Sequence, residues 1–250
     1  MKSHRFPYSR PSIQFGFGLV ELMVSILLSI FISFGLVVIY VGVKGTFKTQ
    51  DDLSRLQDSQ RLISAILANT IQSAGYFVNP VNDSIDSVFP VTTVPNRDGT
   101  TFSYLGQSVV GKTTNTPQGD SINIRYQTAS GDGLMNCQGQ TNQSGSSTVW
   151  INSFSVNASN QLECSVNGST PVPLVDNVSS IKFLYSVDTD GDNSPDGYLD
   201  AASVASSGLW KKVYSAQFSI TFVDTINSTP TNIVNLPTAW MQTVKLMSLI

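Results

Sequence analysis

Leu22 to Val43 is a run of 22 residues without a charged side chain, inside the longer apolar stretch FGLVELMVSILLSIFISFGLVVIYVGV that opens at Phe17. At about 1.5 Å per helical residue, that length crosses a hydrocarbon core of about 30 Å. Lys2, Arg5 and Arg10 precede it, and residues 1–16 contain no acid. The positive-inside rule therefore places the N-terminus in the cytoplasm and the remainder across the membrane. A secretory signal peptide has a shorter apolar region and then a small-residue cleavage site. Here Gly42-Val43-Lys44 leads into an amphipathic pattern, so the helix reads as a retained anchor.

Composition narrows the chemistry. The only histidine, His4, falls in the basic leader, so a processed chain has none. That disfavours Ser–His–Asp and Cys–His systems, histidine bases and histidine-containing zinc sites. Two cysteines cannot build a four-cysteine zinc or iron–sulfur site. Loss of the leader removes three positive charges and takes the net charge from −3 to −6. An acidic chain is a poor partner for a phosphate backbone, so no direct nucleic-acid contact is expected. No GxxxxGK[ST] string supports nucleotide binding. A tethered enzyme would have to work with Glu163 and scattered aspartates, so an enzyme is not expected.

Glu21 does not fit a plain anchor, because an ionised carboxylate is costly near the start of an apolar span. An interfacial, hydrated position is one reading. The other is a cationic partner: cleavage after Gly16 would leave an α-amino group on Phe17, four residues before Glu21 and on the same helical face. The string GFGLVELMVSILLS, with Gly16, Phe17 and Glu21 in its diagnostic places, resembles the class III signal sequence of type IV pilins and pseudopilins. The resemblance implies cleavage after Gly16 by a prepilin peptidase, N-methylation of Phe17, and a role for Glu21 in assembly. The leader of 16 residues is long for the family, and Gly18 stands where Ser or Thr is more common.

Beyond the anchor, Leu53, Leu56, Ile63, Leu67, Ile71 and Ala74 form an apolar stripe at steps of three, four and seven, the mark of an amphipathic helix. Asp51, Asp52, Arg55, Asp58 and Arg61 form its solvated face. No proline interrupts residues 17–75, and Gly75 is a suitable stop. The segment RLQDSQRLISAILANTIQSAGYF resembles the corresponding stretch of the PilW family of minor pilins. The expected organisation is a cleaved leader at 1–16, a transmembrane and filament-core helix at 17–43, its amphipathic continuation at 44–75, and a periplasmic β-rich head at 76–250.

In the head, apolar residues alternate along Tyr214–Phe222, along Ile122, Ile124 and Tyr126, and along Ile181, Phe183, Tyr185 and Val187. Period-two patterning predicts antiparallel strands with one buried face. Thr101–Tyr104, Val149–Val156, Gln161–Val166 and Trp240–Leu249 are further candidate strands, and Ala201–Leu209 reads as a short helix. The polar, glycine-rich Gln127–Thr148 stretch predicts a long exposed loop. The fold class expected is α+β: a long N-terminal helix packed on an antiparallel β-sheet head, as in pilins.

Two features of the head carry chemistry. Cys137 and Cys164 are expected to form a disulfide if the head faces an oxidising compartment. Asp188, Asp190, Asp192, Asp196 and Asp200 lie in DTDGDNSPDGYLD, where the first four occupy the first, third, fifth and ninth places of an EF-hand-like loop. That spacing predicts a Ca²⁺ site. Asn193 replaces the sixth-place glycine, and Leu199 holds the twelfth place, leaving Asp200 as the last ligand one position late. A solvated acidic turn is the alternative. The strand-and-loop string IKFLYSVDTDGD again resembles PilW-like proteins.

The resemblance implies a minor pilin of a type IV pilus, in a priming or tip complex needed for assembly and hence for motility, adhesion or DNA uptake. Its partners would be other minor and major pilins through the N-terminal helix, the prepilin peptidase and the inner membrane. The implied location is a single-pass inner-membrane protein of a Gram-negative envelope, later part of an extracellular pilus. A minor pseudopilin of a type II secretion system and a pilus-tip adhesin are the alternatives.

Overall fold

The protein is described here from a computed structural model, which covers Gly16, residues 18–229 and residues 232–247. The leader charges, His4, Phe17 and the end of the Trp240–Leu249 segment lie outside the described residues. The chain divides into two compact units, one ending at Asp51 and one running from Asp52.

Helix α1 spans Leu19–Gln72. Its described residues up to Asp51 are exposed, and it is long and apolar enough to cross a membrane. Hydroxyls in this part bond within the helix: Ser25 Oγ donates to the Glu21 carbonyl at 2.7 Å, and Ser29 Oγ to that of Ser25 at 2.8 Å. A serine that satisfies itself this way is tolerated where no water is available.

From Asp52 onward the helix belongs to the head. Ile63, Leu67, Ile71 and Ala74 are fully buried, Leu56 is partly buried, and Leu53 is 53% exposed. The expected stripe therefore begins to be covered at Leu56. Burying each large aliphatic side chain contributes about 1.5–3 kcal/mol. Gly75, at φ 79°, ends the helical path, and its N–H donates to the Arg125 carbonyl at 3.0 Å. The chain is thereby turned onto the sheet.

The head contains two antiparallel sheets rather than one. The first runs in the order β1 (Val109–Lys112), β2 (Ser121–Thr128), β3 (Thr148–Val156), β4 (Gln161–Val166), β5 (Val172–Asp176). The second is ordered β7 (Gly197–Leu199), β6 (Val178–Val187), β8 (Val213–Phe222), β9 (Trp240–Lys245). Short helices α2 (Ile85–Val88) and α3 (Ala201–Ser206) and a 3-10 turn at Trp210–Lys212 complete it. Ile122, Ile124, Tyr126 and Phe154 of the first sheet share a core with Phe183, Phe218 and Ile220 of the second and with Ile63 and Leu67.

The loop before β2 stitches the sheets together. The Asp120 N–H donates to the Ile181 carbonyl at 2.8 Å, and the Ile181 N–H to that of Gln118 at 3.1 Å. The buried Asp120 carboxylate accepts from the Phe183 N–H at 3.1 Å and pairs with Lys182 at 3.2 Å. Gly119 sits between them at φ 87°, where a Cβ would collide with the Ile181 carbonyl. Only glycine suits that crossing.

Thr101–Tyr104 is not a strand. Phe102 is instead buried against the guanidinium of Arg125, 4.2 Å from its ring centroid. The Gln127–Thr148 connection is also less exposed than its composition predicts. Asn136 and Asn142 are buried within it, and Asn142 Nδ2 holds the carbonyls of Thr128 and Ser146 at 3.0 and 2.8 Å. Polar residues here form the loop's own framework.

Candidate functional site

Three places carry the residues singled out by sequence. The first is the start of α1. Gly16 is exposed ahead of the helix, and Glu21 lies in its first turn. A carboxylate there faces the unpaired N–H groups and positive end of the helix dipole. Glu21, Ser25, Ser29 and Ser33 follow at steps of four, so they line one face.

The second is the aspartate loop between β6 and β7. Oxygens of Asp188, Asp190 and Asp196 all lie within 4.8 Å of one another. Asp188 is buried; Asp190 and Asp196 are exposed. β6 positions Asp188 at its end, and the backbone then folds over that carboxylate: the N–H groups of Gly191 and Asn193 donate to its two oxygens at 2.5 and 3.1 Å. Asn193 takes the left-handed conformation, φ 65°, in the place where an EF-hand loop has glycine. Asp196 is fixed by the Thr189 N–H at 2.7 Å and hydroxyl at 2.6 Å. Those bonds hold its carboxyl below the ordinary aspartate range.

Asp192 and Asp200 stand outside this group of three. Asp192 accepts the Ser194 N–H at 2.7 Å. Asp200 caps α3, accepting the Ser203 N–H at 2.8 Å, and these bonds with Ser203 lower its pKa. A cap of this kind contributes about 1 kcal/mol. Sequence reading missed Lys212, whose ammonium comes within 3.9 Å of Asp188 from the 3-10 turn. It also missed the Thr189 clamp, although a threonine between two aspartates is a common Asx/ST-turn signal. Three converging carboxylates supply hard oxygen donors, one of them preset by backbone N–H groups, an arrangement able to hold a divalent cation.

The third is the disulfide. Cys137 and Cys164 are bonded, with Cα atoms 6.3 Å apart. The bridge ties the long loop to β4, the strand next to β3. The Cys137 N–H donates to Asn152 Oδ1 on β3 at 2.8 Å, and Gln138 Nε2 to the Cys164 carbonyl at 3.1 Å. The disulfide, both its neighbouring strands and the aspartate loop all fall within residues 137–200.

Comparison with known families selects most of that region, beginning just after Cys137. Residues 139–233 match the family described as Type IV Pilus-assembly protein W, PilW. The resemblance to PilW is thereby shown. No curated protein matches the PilW-like chain. Among solved structures, a type IV-like pilin from Thermus thermophilus matches at 13% identity and a TM-score of 0.41, over 78% of this chain and 97% of that one. The PilW match lies wholly in the head, apart from the N-terminal motif that first suggested pilins. Its description is that of an assembly protein, in agreement with a composition poor in catalytic side chains.

Proposed function

We propose that the chain is a minor pilin that acts in the priming or tip complex of a type IV pilus, stored in the inner membrane by α1 until it is assembled. The observation that carries this is the coincidence of two separate signals in one chain. One is the Gly16–Phe17–Glu21 pattern ahead of the apolar helix; the other is the PilW match over residues 139–233. Prepilin peptidase would cut after Gly16. Glu21 would then offer its carboxylate to the N-terminal amine of its own or a neighbouring subunit, because a charge buried among packed helices is tolerable only when paired. The apolar side chains of α1 would supply the contacts with neighbouring pilins. The work is assembly, without a chemical step.

Deletion of the gene tests the reading. Surface pili and twitching should fall sharply and return with the wild-type chain, while Glu21→Ala should restore them poorly although the protein accumulates in the membrane. Normal piliation in the deletion strain overturns it. Normal pili together with failed export of secreted enzymes would instead assign the chain to a type II secretion pseudopilus.

Within this function, Asp188, Asp190 and Asp196 would bind Ca²⁺ and fix the loop between β6 and β7. The cation offsets the mutual repulsion of the three carboxylates. Asp196, with its lowered pKa, contributes stability above the ordinary aspartate value of 3.8, and loses it as pH falls through the lower folded-state value. At neutral pH, millimolar Ca²⁺ should raise the melting temperature of the detergent-solubilised chain by several degrees over the chelated protein. Asp190→Ala should abolish that rise. Asp200→Ala should lower the baseline but keep the response. An unchanged melting temperature with Ca²⁺, or an unaltered response in Asp190→Ala, excludes the site.

A further inference from the structure

The first sheet has two unlike faces. Ile122, Ile124 and Phe154 turn to the core, while at one end of the sheet the alternate residues are small or polar. Ser121 and Asn123 on β2, Ser153 and Ser155 on β3, and Glu163 and Ser165 on β4 share that second face. The register sets Asn123 beside Ser153, Ser153 beside Ser165, and Ser155 beside Glu163. These side chains floor a cavity of about 330 Å³, with Arg97, Lys112 and Pro171 also on its walls.

Two of the floor side chains are 1% exposed and each has an atom without a hydrogen-bond partner: Asn123 Oδ1 and Ser165 Oγ. The amide orientation of Asn123 follows from its neighbours. Its Nδ2 donates to Asp98 Oδ2 at 2.8 Å and to Thr100 Oγ1 at 3.0 Å; reversal would set its oxygen against a carboxylate. Oδ1 is therefore left as a buried acceptor without a partner, a costly arrangement that fixes the Asn123 amide beneath the cavity.

Charge selects the ligand class. An anion would meet the carboxylates of Asp98, Asp120 and Glu163 around the cavity. A compact cation would meet Arg97 and Lys112. Among the described residues neither Arg97 nor Glu163 forms an ion pair, so one fixed donor and one fixed acceptor remain on the walls. Glu163 accepts only long bonds, from Ser155 Oγ at 3.2 Å and Asn157 Nδ2 at 3.5 Å. Between the charges lie serine hydroxyls, each able to donate and accept. A neutral ring bearing several hydroxyls has the same dual capacity. The volume lies at the small end of the range for ligand sites, about 300–1,000 Å³.

We propose that this polar sheet face binds a neutral sugar unit, with Glu163 accepting from its hydroxyls, Arg97 donating to them, and Ser153 and Ser155 forming the floor. The site lies in the head alone and does not depend on the assembly role above. Sugar hydroxyls exchange water for these partners, so the affinity is in the millimolar range.

Saturation-transfer NMR on the full chain, in a detergent without a sugar headgroup, tests this. The probes are the methyl glycosides of glucose, galactose, mannose and N-acetylglucosamine, free and as bead-linked sugars, which separates a free sugar from a glycan end. Saturable binding of at least one probe is expected, weakened by about tenfold or more in Glu163→Gln and in Ser153→Val. Arg97→Ala, at an exposed position, should weaken it as well, and serves if Ser153→Val lowers the melting temperature. No saturable transfer from any probe overturns the proposal. So does equal binding by wild type and Glu163→Gln, or tighter binding of inorganic phosphate than of every sugar.

Discussion

Replacing Arg125 by alanine should destabilise the head by about 3–5 kcal/mol, a fall in melting temperature on the order of 10 °C for a unit of this size. Arg125 lies on β2 and is 2% exposed. Its three guanidinium nitrogens donate to backbone carbonyls: Nε to Gln107 at 2.5 Å, Nη1 to Pro90 at 2.7 Å and Nη2 to Phe89 at 3.1 Å. The rings of Phe89 and Phe102 lie 5.3 and 4.2 Å from its central carbon, close enough for cation–π attraction. Burial lowers the guanidinium pKa to about 10, still far above neutral, so the group is charged in the working protein.

One side chain thus replaces the secondary structure that residues 89–107 lack. Truncation leaves the Gln107 and Pro90 carbonyls without donors, while that of Phe89 keeps the Gly106 N–H at 2.9 Å, and each unpaired buried group costs about 1–3 kcal/mol. Removal of the charge recovers part of this, because its desolvation was unfavourable. Arg125→Lys keeps the charge but loses the planar fork, so its loss should be intermediate. Hydrogen exchange should speed up over residues 89–107 in both variants. A melting temperature for Arg125→Ala within about 2 °C of wild type would show that these bonds are dispensable.

Opening the Cys137–Cys164 bridge should cost about 3.5 kcal/mol in the chain-entropy account of a 27-residue separation. For this length of chain that corresponds to about 7–14 °C. The double variant Cys137→Ala/Cys164→Ala and the reduced wild-type protein should fall together. Alanine leaves no polar atom in two buried positions. The loop retains the Cys137 N–H bond to Asn152 and the Gln138 bond to the Cys164 carbonyl, so loosening should stay local around residues 129–147. Equal melting of oxidised and reduced protein would refute the estimate. Mass spectra under the two conditions report the thiol state directly.

Where side-chain pattern and local geometry coincide, the sequence was legible. Tyr214–Phe222 alternates cleanly and lies within β8, which starts one residue earlier, and Gln161–Val166 is β4 at the same bounds. Ala201–Leu209 holds α3, shortened to Ala201–Ser206 because Gly208 takes a positive φ. The strands that escaped notice are short or carry no alternation. β1 is four residues, β7 three, and β5 includes Pro173 at a sheet edge, the one place a sheet accommodates proline. The aspartate loop was legible as a cluster, but not in its division of labour. Spacing treats five carboxylates alike, whereas the fold gives three to one centre, one to a turn and one to a helix cap.

The apolar run from Leu22 to Val43 determined most by itself. Its length and lack of charge make it long and apolar enough to cross a membrane whatever the head does, and Gly16, Phe17 and Glu21 stand at its start. Such conclusions rest on neighbours in the chain, whose physics is local. Tertiary structure alone decided that the head has two sheets, that Asp120 and Gly119 join them, and that Arg125 holds a segment 18 to 36 residues upstream. It also decided which face of β2, β3 and β4 became a polar cavity. Alternation says that one face of a strand is apolar, but only the register between strands sets Asn123, Ser153 and Ser165 side by side.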